Sequence, residues 1–197
     1  MKYGIAIALT LVALVTSGYC TDDNRKGWVE GIGLGFAPVS RFTLPEGSNL
    51  SEDAPAFGYS LLLGYGWSEH DVTAFEFNGT VRNSSYYSEI GEHTEYFFES
   101  GLHGSQYIYQ HLGGVTWYHY FGVPGKSFLT VVGVGLFNLG TKNLGSNESG
   151  LGTLAGLGHE FARHFQTVFY WTRGQSSDGW ITMKHSQLSI LVSWIRY

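Results

Sequence analysis

The feature that most constrains this chain is a regular alternation of bulky and very small side chains along short stretches. In residues 28–36, large apolar side chains recur at even positions and glycines fill most of the odd positions between them. The bulky positions are Trp28, Ile32, Leu34 and Phe36, and the bare ones are Gly31, Gly33 and Gly35. Residues 56–67 repeat the pattern. Because a helical face recurs every three or four residues, a period of two predicts β-strands with one bulky and one nearly bare face.

The nearly bare face indicates what kind of sheet these strands form. In a soluble sandwich the face opposite the apolar core is polar and solvated. Here it is mostly glycine, which suits the crowded interior of a narrow closed barrel whose bulky face meets lipid. The composition agrees, since 28 glycines and 16% aromatic residues accompany only 14% charged residues. This aromatic content and a formal charge of −5 argue against a disordered chain and against a nucleic-acid partner.

Eight segments of the chain have the length and pattern of membrane strands. The predicted strands are residues 27–37, 56–67, 71–82, 105–120, 127–139, 151–161, 164–174 and 184–197. The connections after the second, fourth and sixth are short and the others are longer, as in barrels with periplasmic turns and external loops. The fold class predicted is all-β, an eight-stranded antiparallel up-and-down transmembrane β-barrel. In the last strand Leu188 and Ile190 favour an even lipid-facing side, whereas Leu191 and Ile195 favour an odd one, so its orientation stays open.

The N-terminus has the pattern of an export signal. Lys2 precedes an uncharged apolar run over residues 5–15, which is too short to span a bilayer as a helix. Small residues place the cleavage site after Gly18 or after Cys20, and Tyr19 disfavours a lipid anchor on that cysteine. We therefore expect a signal peptide at residues 1–20 and a barrel domain at residues 21–197.

With these strands in place, the chain resembles the small eight-stranded outer-membrane barrel proteins, a group that includes OmpX-like proteins and the OmpA transmembrane domain. The residues that carry the resemblance are the Gly-alternating stretches 31–36, 133–136 and 156–161 and the terminal aromatic Tyr197. The resemblance implies a monomer in the bacterial outer membrane, in contact with its lipids and lipopolysaccharide and delivered by periplasmic chaperones and the barrel assembly machinery. It implies fold and location more firmly than activity, because the group includes structural proteins, adhesins and a few lipid-modifying enzymes.

Polar residues on the inward faces of the strands predict a filled lumen. Glu76 and Arg82 share the inward face of the third strand, and Glu160 lies on that of the sixth. Because buried charges are tolerated only when paired and hydrogen-bonded, we expect these three residues to belong to a polar network that plugs the barrel. Eight strands enclose a space that side chains can fill, so an open channel is not expected. We expect no cofactor and no metal, since His159 and His164 are five residues apart rather than four.

One pair of residues keeps an enzymatic alternative open. His103 and Ser105 are two residues apart, and Glu95 and Glu99 are close in sequence as orienting carboxylates. Outer-membrane lipid A deacylases are similar in using a His and a Ser two apart near a Glu, but the surrounding sequence does not match them. A lipid-modifying barrel enzyme of deacylase type is therefore the alternative to a barrel without catalytic role.

The long second loop is the remaining candidate for function. Its aromatic residues are interleaved with carboxylates, and the main candidates for contact are Tyr86, Tyr87, Tyr96 and Phe97. They suit either a contact surface for a host or envelope protein or an extension of the hairpin strands beyond the membrane. A third possibility, a soluble lipocalin-type barrel that holds a ligand inside, predicts polar outer faces and disagrees with the bulky face of residues 57–65.

Overall fold

The computed structural model describes residues 24–43, 51–84, 106–141, 148–177 and 182–197. Within them the chain forms eight strands, each antiparallel to its neighbours in sequence, and the last pairs with the first to close a barrel. The strands are β1 Gly27–Thr43, β2 Ser51–Gly66, β3 Asp71–Ser84, β4 Gln106–Tyr120, β5 Ser127–Thr141, β6 Glu148–Ala162, β7 Phe165–Ser177 and β8 Thr182–Arg196. The prediction of an eight-stranded antiparallel up-and-down barrel is confirmed.

The alternation read from the sequence becomes the two surfaces of the wall. On β1 the side chains of Trp28 and Leu34 are exposed on the outside, whereas Val29 and Gly33 are buried inside. The interior leaves no room for larger residues, because a Cβ on Gly33 would lie 2.5 Å from the Ser193 hydroxyl oxygen. Glycine on the inner face therefore sets how tightly the barrel closes.

The strands extend further than the sequence predicted, mostly at their loop ends. The sequence predicted that β1 stops at Ala37, and the next residue, Pro38, lacks the N–H that a continuous ladder needs. Instead β1 continues to Thr43 through a register shift between Ala37 and Ser40. This bulge changes which positions face inward, because odd residues up to Ala37 face the lumen before it, whereas Ser40 faces the lumen after it.

The two ends of the barrel differ in their connections. Residues 67–70, 121–126 and 163–164 form three short turns at one end, which we call the turn end. The other four connections leave from the opposite end, which we call the loop end. The open question about the last strand is resolved, since Ile190 and Val192 lie outside and Leu191 and Ile195 inside.

The outer surface is apolar through most of its height. Among its exposed side chains are Trp28, Leu63, Trp67, Phe128, Val134, Leu157, Phe169 and Val192. Glu30 interrupts this surface near the turn end, where its carboxylate lies 3.4 Å from the Arg196 guanidinium. In the described ranges, no helix has the length and apolar character needed to cross a membrane.

Candidate functional site

The interior of the barrel is occupied by side chains from all eight strands. Its apolar residues include Val29, Leu62, Val72, Leu129, Val131, Leu154, Val168 and Ile195. Buried polar side chains lie among them, and a hydrogen-bonded cluster with different chemistry is found towards each end. The lumen is thus a packed core rather than a pore, as expected for a barrel of this strand number.

At the turn end the lumen is closed by an ion pair. The guanidinium of Arg25, just ahead of β1, lies 2.5 Å from the carboxylate of Glu160 on β6, with the two side chains 0% and 1% exposed. Arg25 also donates to the carbonyl oxygens of Glu69 at 2.8 Å and Gly122 at 2.9 Å. Because Glu69 and Gly122 belong to two different turns and Glu160 lies beside the third, one side chain ties the three hairpins together.

Surrounding residues make further hydrogen bonds to Glu160 and a further contact with Arg25. The Glu160 carboxylate accepts hydrogen bonds from the hydroxyl of Tyr197 and, at 2.8 Å, from the backbone N–H of Gly125. Gly125 has a positive φ of 86°, a conformation that a side chain disfavours. The ring of Tyr120 lies 4.0 Å from the Arg25 guanidinium and supplies a cation–π contact. We call Arg25, Tyr120, Glu160 and Tyr197 the turn-end cluster.

A second carboxylate is buried further inside the barrel. Glu76 accepts hydrogen bonds from the Tyr118 hydroxyl at 2.6 Å and from the Asn78 amide at 3.2 Å. Tyr118 also contacts the hydroxyl of Tyr170 at 2.9 Å. The stacked rings of Tyr118 and Tyr120, 6.4 Å apart, connect Glu76 to the turn-end cluster.

At the loop end a group of neutral polar residues is hydrogen-bonded around Gln110, and Arg82 is buried at the same end of β3. The side-chain oxygen of Gln110 accepts from Ser40 at 2.9 Å and from Gln187 at 3.1 Å. Its amide nitrogen lies 3.3 Å from Nδ1 of His185, whose Nε2 lies 2.6 Å from the Ser176 hydroxyl. We call Ser40, Gln110, Ser176, His185 and Gln187 the loop-end cluster.

The loop-end cluster rests on an aromatic side chain that two glycines accommodate. The Phe137 ring stacks on His185, with 4.9 Å between their centroids. A Cβ on Gly174 would lie 2.7 Å from Phe137, and one on Gly152 would lie 3.0 Å from it. The absence of side chains at these two positions therefore makes the space in which Phe137 packs.

The structure distributes the three residues of the predicted lumen network over different heights. Glu160 is in the turn-end cluster, Glu76 is deeper, and Arg82 is buried six residues beyond Glu76 on β3, about 20 Å along the strand. All three are inside the barrel, but they do not gather into one cluster. The residue that faces Glu160 is Arg25, which the sequence reasoning missed. Its signal was a positive charge placed immediately before the first strand.

The residues predicted for catalysis and for loop contact lie outside the described part of the chain. These are His103 and Ser105 for the enzymatic alternative and Tyr86, Tyr87, Tyr96 and Phe97 for the second loop. Residues 1–20, the expected signal peptide, also lie outside it.

A Ser–His pair does occur in the described barrel, at Ser176 and His185, but its hydrogen bonding opposes nucleophilic catalysis. Because the Gln110 oxygen already accepts two hydrogen bonds, its amide nitrogen points to His185 and donates to Nδ1. Nε2 must then carry the proton and donate to Ser176, so it does not act as a base towards that hydroxyl. Both side chains are also buried, at 0% and 2% exposure.

We find no group of three or more metal-ligating side chains among the described residues. Arg25, Glu160 and Glu76 inside the barrel are paired or hydrogen-bonded by protein atoms, which is the arrangement of a structural core.

Comparison with solved structures identifies barrels of the same architecture. Ail, the attachment invasion locus protein of Yersinia pestis, superposes with a TM-score of 0.50 at 15% identity, over 86% of this chain and 99% of Ail, in a structure with the heparin analogue sucrose octasulfate. Ail solved without that ligand gives 0.50 at 16% identity. Neisserial surface protein A gives 0.49 at 13% identity, over 85% of this chain and 95% of that protein. No protein-family model and no curated protein sequence matches the chain. The likeness to Ail confirms the fold expected from the resemblance to small eight-stranded outer-membrane barrels.

Proposed function

We propose that this chain is a small barrel of the bacterial outer membrane, whose filled lumen gives it a structural role and whose loops contact other surface molecules. The observation that carries the proposal is the pairing of an apolar outside with a packed inside that contains hydrogen-bonded polar and charged groups. A soluble barrel has the reverse arrangement, because its apolar side chains must face each other rather than water.

The extent of the apolar exterior supports a lipid environment. Soluble monomers rarely expose contiguous apolar patches of more than a few hundred Å². Here Trp28, Phe57, Phe128, Leu157 and Phe169 are exposed on strands that go all the way around the barrel. Burying one such side chain is worth about 1.5–3 kcal/mol, so a bilayer stabilises the surface that water would penalise. The apolar exterior also disfavours the lipocalin-type alternative, which predicts polar outer faces.

The proposal assigns recognition to the loops rather than to the lumen. Ail is named for attachment and invasion and was solved with a sulfated glycan analogue, which makes a surface-contact role plausible for a barrel of this fold. The second loop of this chain, however, is rich in carboxylates, including Glu89, Glu92, Glu95 and Glu99. Because these repel sulfate groups, we expect its partner to be a protein surface contacted by the interleaved tyrosines and phenylalanines.

We further propose that the barrel has no catalytic role. The buried Ser176 and His185 pair has the wrong proton arrangement for a nucleophile, which supports this view. The enzymatic alternative through His103 and Ser105 is tested by expressing the Ser105→Ala variant and the wild type in the same strain. Lipid A acylation that is identical in both strains and in the empty-vector strain supports the proposal. Loss of acyl chains that depends on Ser105 would establish the deacylase instead.

The location is tested by fractionating cells that express the full chain and running the membrane fraction on an SDS gel with and without boiling. We expect the protein in the outer membrane, with a folded form that migrates faster until it is boiled, since closed barrels resist SDS. A freely soluble protein with a single migration position would overturn the proposal.

A further inference from the structure

A groove of about 750 Å³ crosses the outer surface of the barrel from β3 to β8. Its lining changes character along its length. Towards β3 it is formed by Phe75, Val115, Val134 and Leu136, and towards β8 by Arg173 and Lys184. At about 4.8 Å per strand, the five steps from β3 to β8 give the groove a length of about 24 Å.

The apolar part of the groove owes its depth to a glycine on the outer face. Gly113 points outward between Phe77 and Leu136, its partners on the neighbouring strands. A Cβ built there would make only ordinary contacts, 3.4 Å from the Phe77 ring and 3.9 Å from the Phe75 ring, so a side chain has space at this position. The result is a slot with bulky apolar walls rather than a flat apolar surface.

Among the described residues, no carboxylate neutralises the cationic end of the groove. In the described ranges no carboxylate forms an ion pair with Arg173 or Lys184, and both side chains are exposed. Nearby on β1, Arg41 is paired with Asp53 at 2.5 Å. The groove lining itself contains no acidic residue. Two cations at the rim of an apolar slot are therefore placed where they can bind an anionic group.

The heights of the two ends of the groove match the levels of the head group and of the acyl chains of a membrane lipid. On a tilted strand, the rise per residue parallel to the barrel axis is about 2.5 Å. Phe75 lies four residues after Asp71 at the turn end of β3, and Arg173 lies eight after Phe165 at that of β7. Phe75 is thus about 10 Å above the turn end, and Arg173 is about 20 Å above it. Lys184, twelve residues from Arg196, lies higher still. The groove descends from the head-group level into the hydrocarbon.

We propose that this groove binds a phosphate-bearing acylated lipid of the outer leaflet. The phosphate lies between Arg173 and Lys184, and an acyl chain follows the slot past Leu136 and Gly113 to Phe75. Gln175, directly opposite Lys184 on β7, supplies a neutral amide beside the phosphate. This inference rests on the proposed membrane location and adds a specific lipid site to it.

The test uses the full chain extracted from membranes in mild detergent, with lipid binding measured by native mass spectrometry. The probes are bisphosphorylated lipid A and the same lipid with its phosphates removed. We expect wild type to bind the phosphorylated lipid about tenfold more tightly. The double variant Arg173→Gln/Lys184→Gln should lose that preference, while Lys26→Gln/Lys126→Gln, which removes the same charge at the turn end, should keep it.

A second variant tests the apolar slot. Gly113→Leu fills the groove without clashing and should weaken binding of both lipids. Ala155→Leu, an outward substitution outside the groove, should leave both unchanged. Inorganic phosphate in excess should not displace the lipid, because it lacks the acyl contacts.

Four outcomes would overturn the lipid site. They are equal binding of the two lipids, an equal loss in the two double variants, tight binding by Gly113→Leu, and displacement of the lipid by inorganic phosphate. The heat-dependent gel shift separates these failures from failure of the proposed function. A protein that shows the shift but no lipid preference is still an outer-membrane barrel, whereas one without the shift and in the soluble fraction is not.

Discussion

The two ends of the lumen are closed by different chemistry. At the turn end, Arg25 and Glu160 form an ion pair that binds three turns and the C-terminal Tyr197. At the loop end, Gln110 and His185 join neutral side chains above the Phe137 ring. Both ends are filled, but the turn-end cluster is built on a buried ion pair, whereas the loop-end cluster is built on neutral groups, with Arg82 buried at the same end.

This difference determines how each end responds to damage. A buried charge that loses its partner carries the full cost of desolvation, whereas a neutral group loses a hydrogen bond of modest net value. The turn end should therefore be sensitive to removal of single groups. The neutral loop-end cluster should be sensitive mainly to changes in shape, since two glycines make the space for Phe137.

The largest effect is expected at the turn end. Glu160→Ala leaves the buried Arg25 guanidinium without its carboxylate, and we expect the free energy of unfolding to fall by about 3–5 kcal/mol. The measurement is the urea midpoint of the barrel in lipid vesicles, followed by tryptophan fluorescence.

The control for this prediction removes both charges at once. In Arg25→Met/Glu160→Leu no charge is left unpaired, so most of the lost stability should return. A double variant as unstable as Glu160→Ala would mean that the cost is one of packing and not of charge.

At the loop end a shape change should have the next largest effect. Gly174→Val places a side chain against Phe137, where a Cβ would already lie 2.7 Å from the ring, and should cost about 1–3 kcal/mol of unfolding free energy. Combining it with Phe137→Leu should recover part of the loss. If the second substitution adds to the first, the two residues do not compete for one space.

A polar deletion at the loop end should have a smaller effect. Ser176→Ala removes the hydroxyl that contacts His185 at 2.6 Å, and about 1 kcal/mol of unfolding free energy should be lost. A loss as large as that of Glu160→Ala would show that a cluster of neutral groups is as sensitive to removal of one group as the buried ion pair.

The smallest effect is expected on the outside of the barrel. Arg41 and Asp53 form an exposed ion pair, with side chains 52% and 38% exposed. Arg41→Gln should change the unfolding free energy by less than about 1 kcal/mol. A loss comparable to that of Glu160→Ala would mean that burial does not set the strength of ion pairs in this barrel.

The sequence was sufficient to predict the barrel because its signal is local and repeated. Alternation of Gly33 with Leu34, or of Gly64 with Leu63, assigns inner and outer faces residue by residue. Strand ends were harder, because Pro38 interrupts the pattern without ending β1, and the bulge that accommodates it is visible only in the pairing of the strands. The same bulge brings Ser40 into the lumen against a parity that the sequence would assign to the outside.

The lumen contacts could be predicted only in part. Inward carboxylates such as Glu76 and Glu160 follow from parity, but which cation meets which carboxylate depends on barrel closure. Arg25 and Glu160 are 135 residues apart in sequence, and the first-to-last strand pairing and the turns bring them together. Ser176 and His185 are close in sequence, yet their contact depends on the register of the β7–β8 hairpin.

Together the two clusters make the interior of the barrel a packed core without an open channel. The most direct test is to reconstitute the full chain in planar bilayers and record the current under an applied voltage. The account predicts no steady conductance above that of the bare bilayer, because packed side chains leave no continuous water path. Large, steady conductance steps from the purified protein would contradict it.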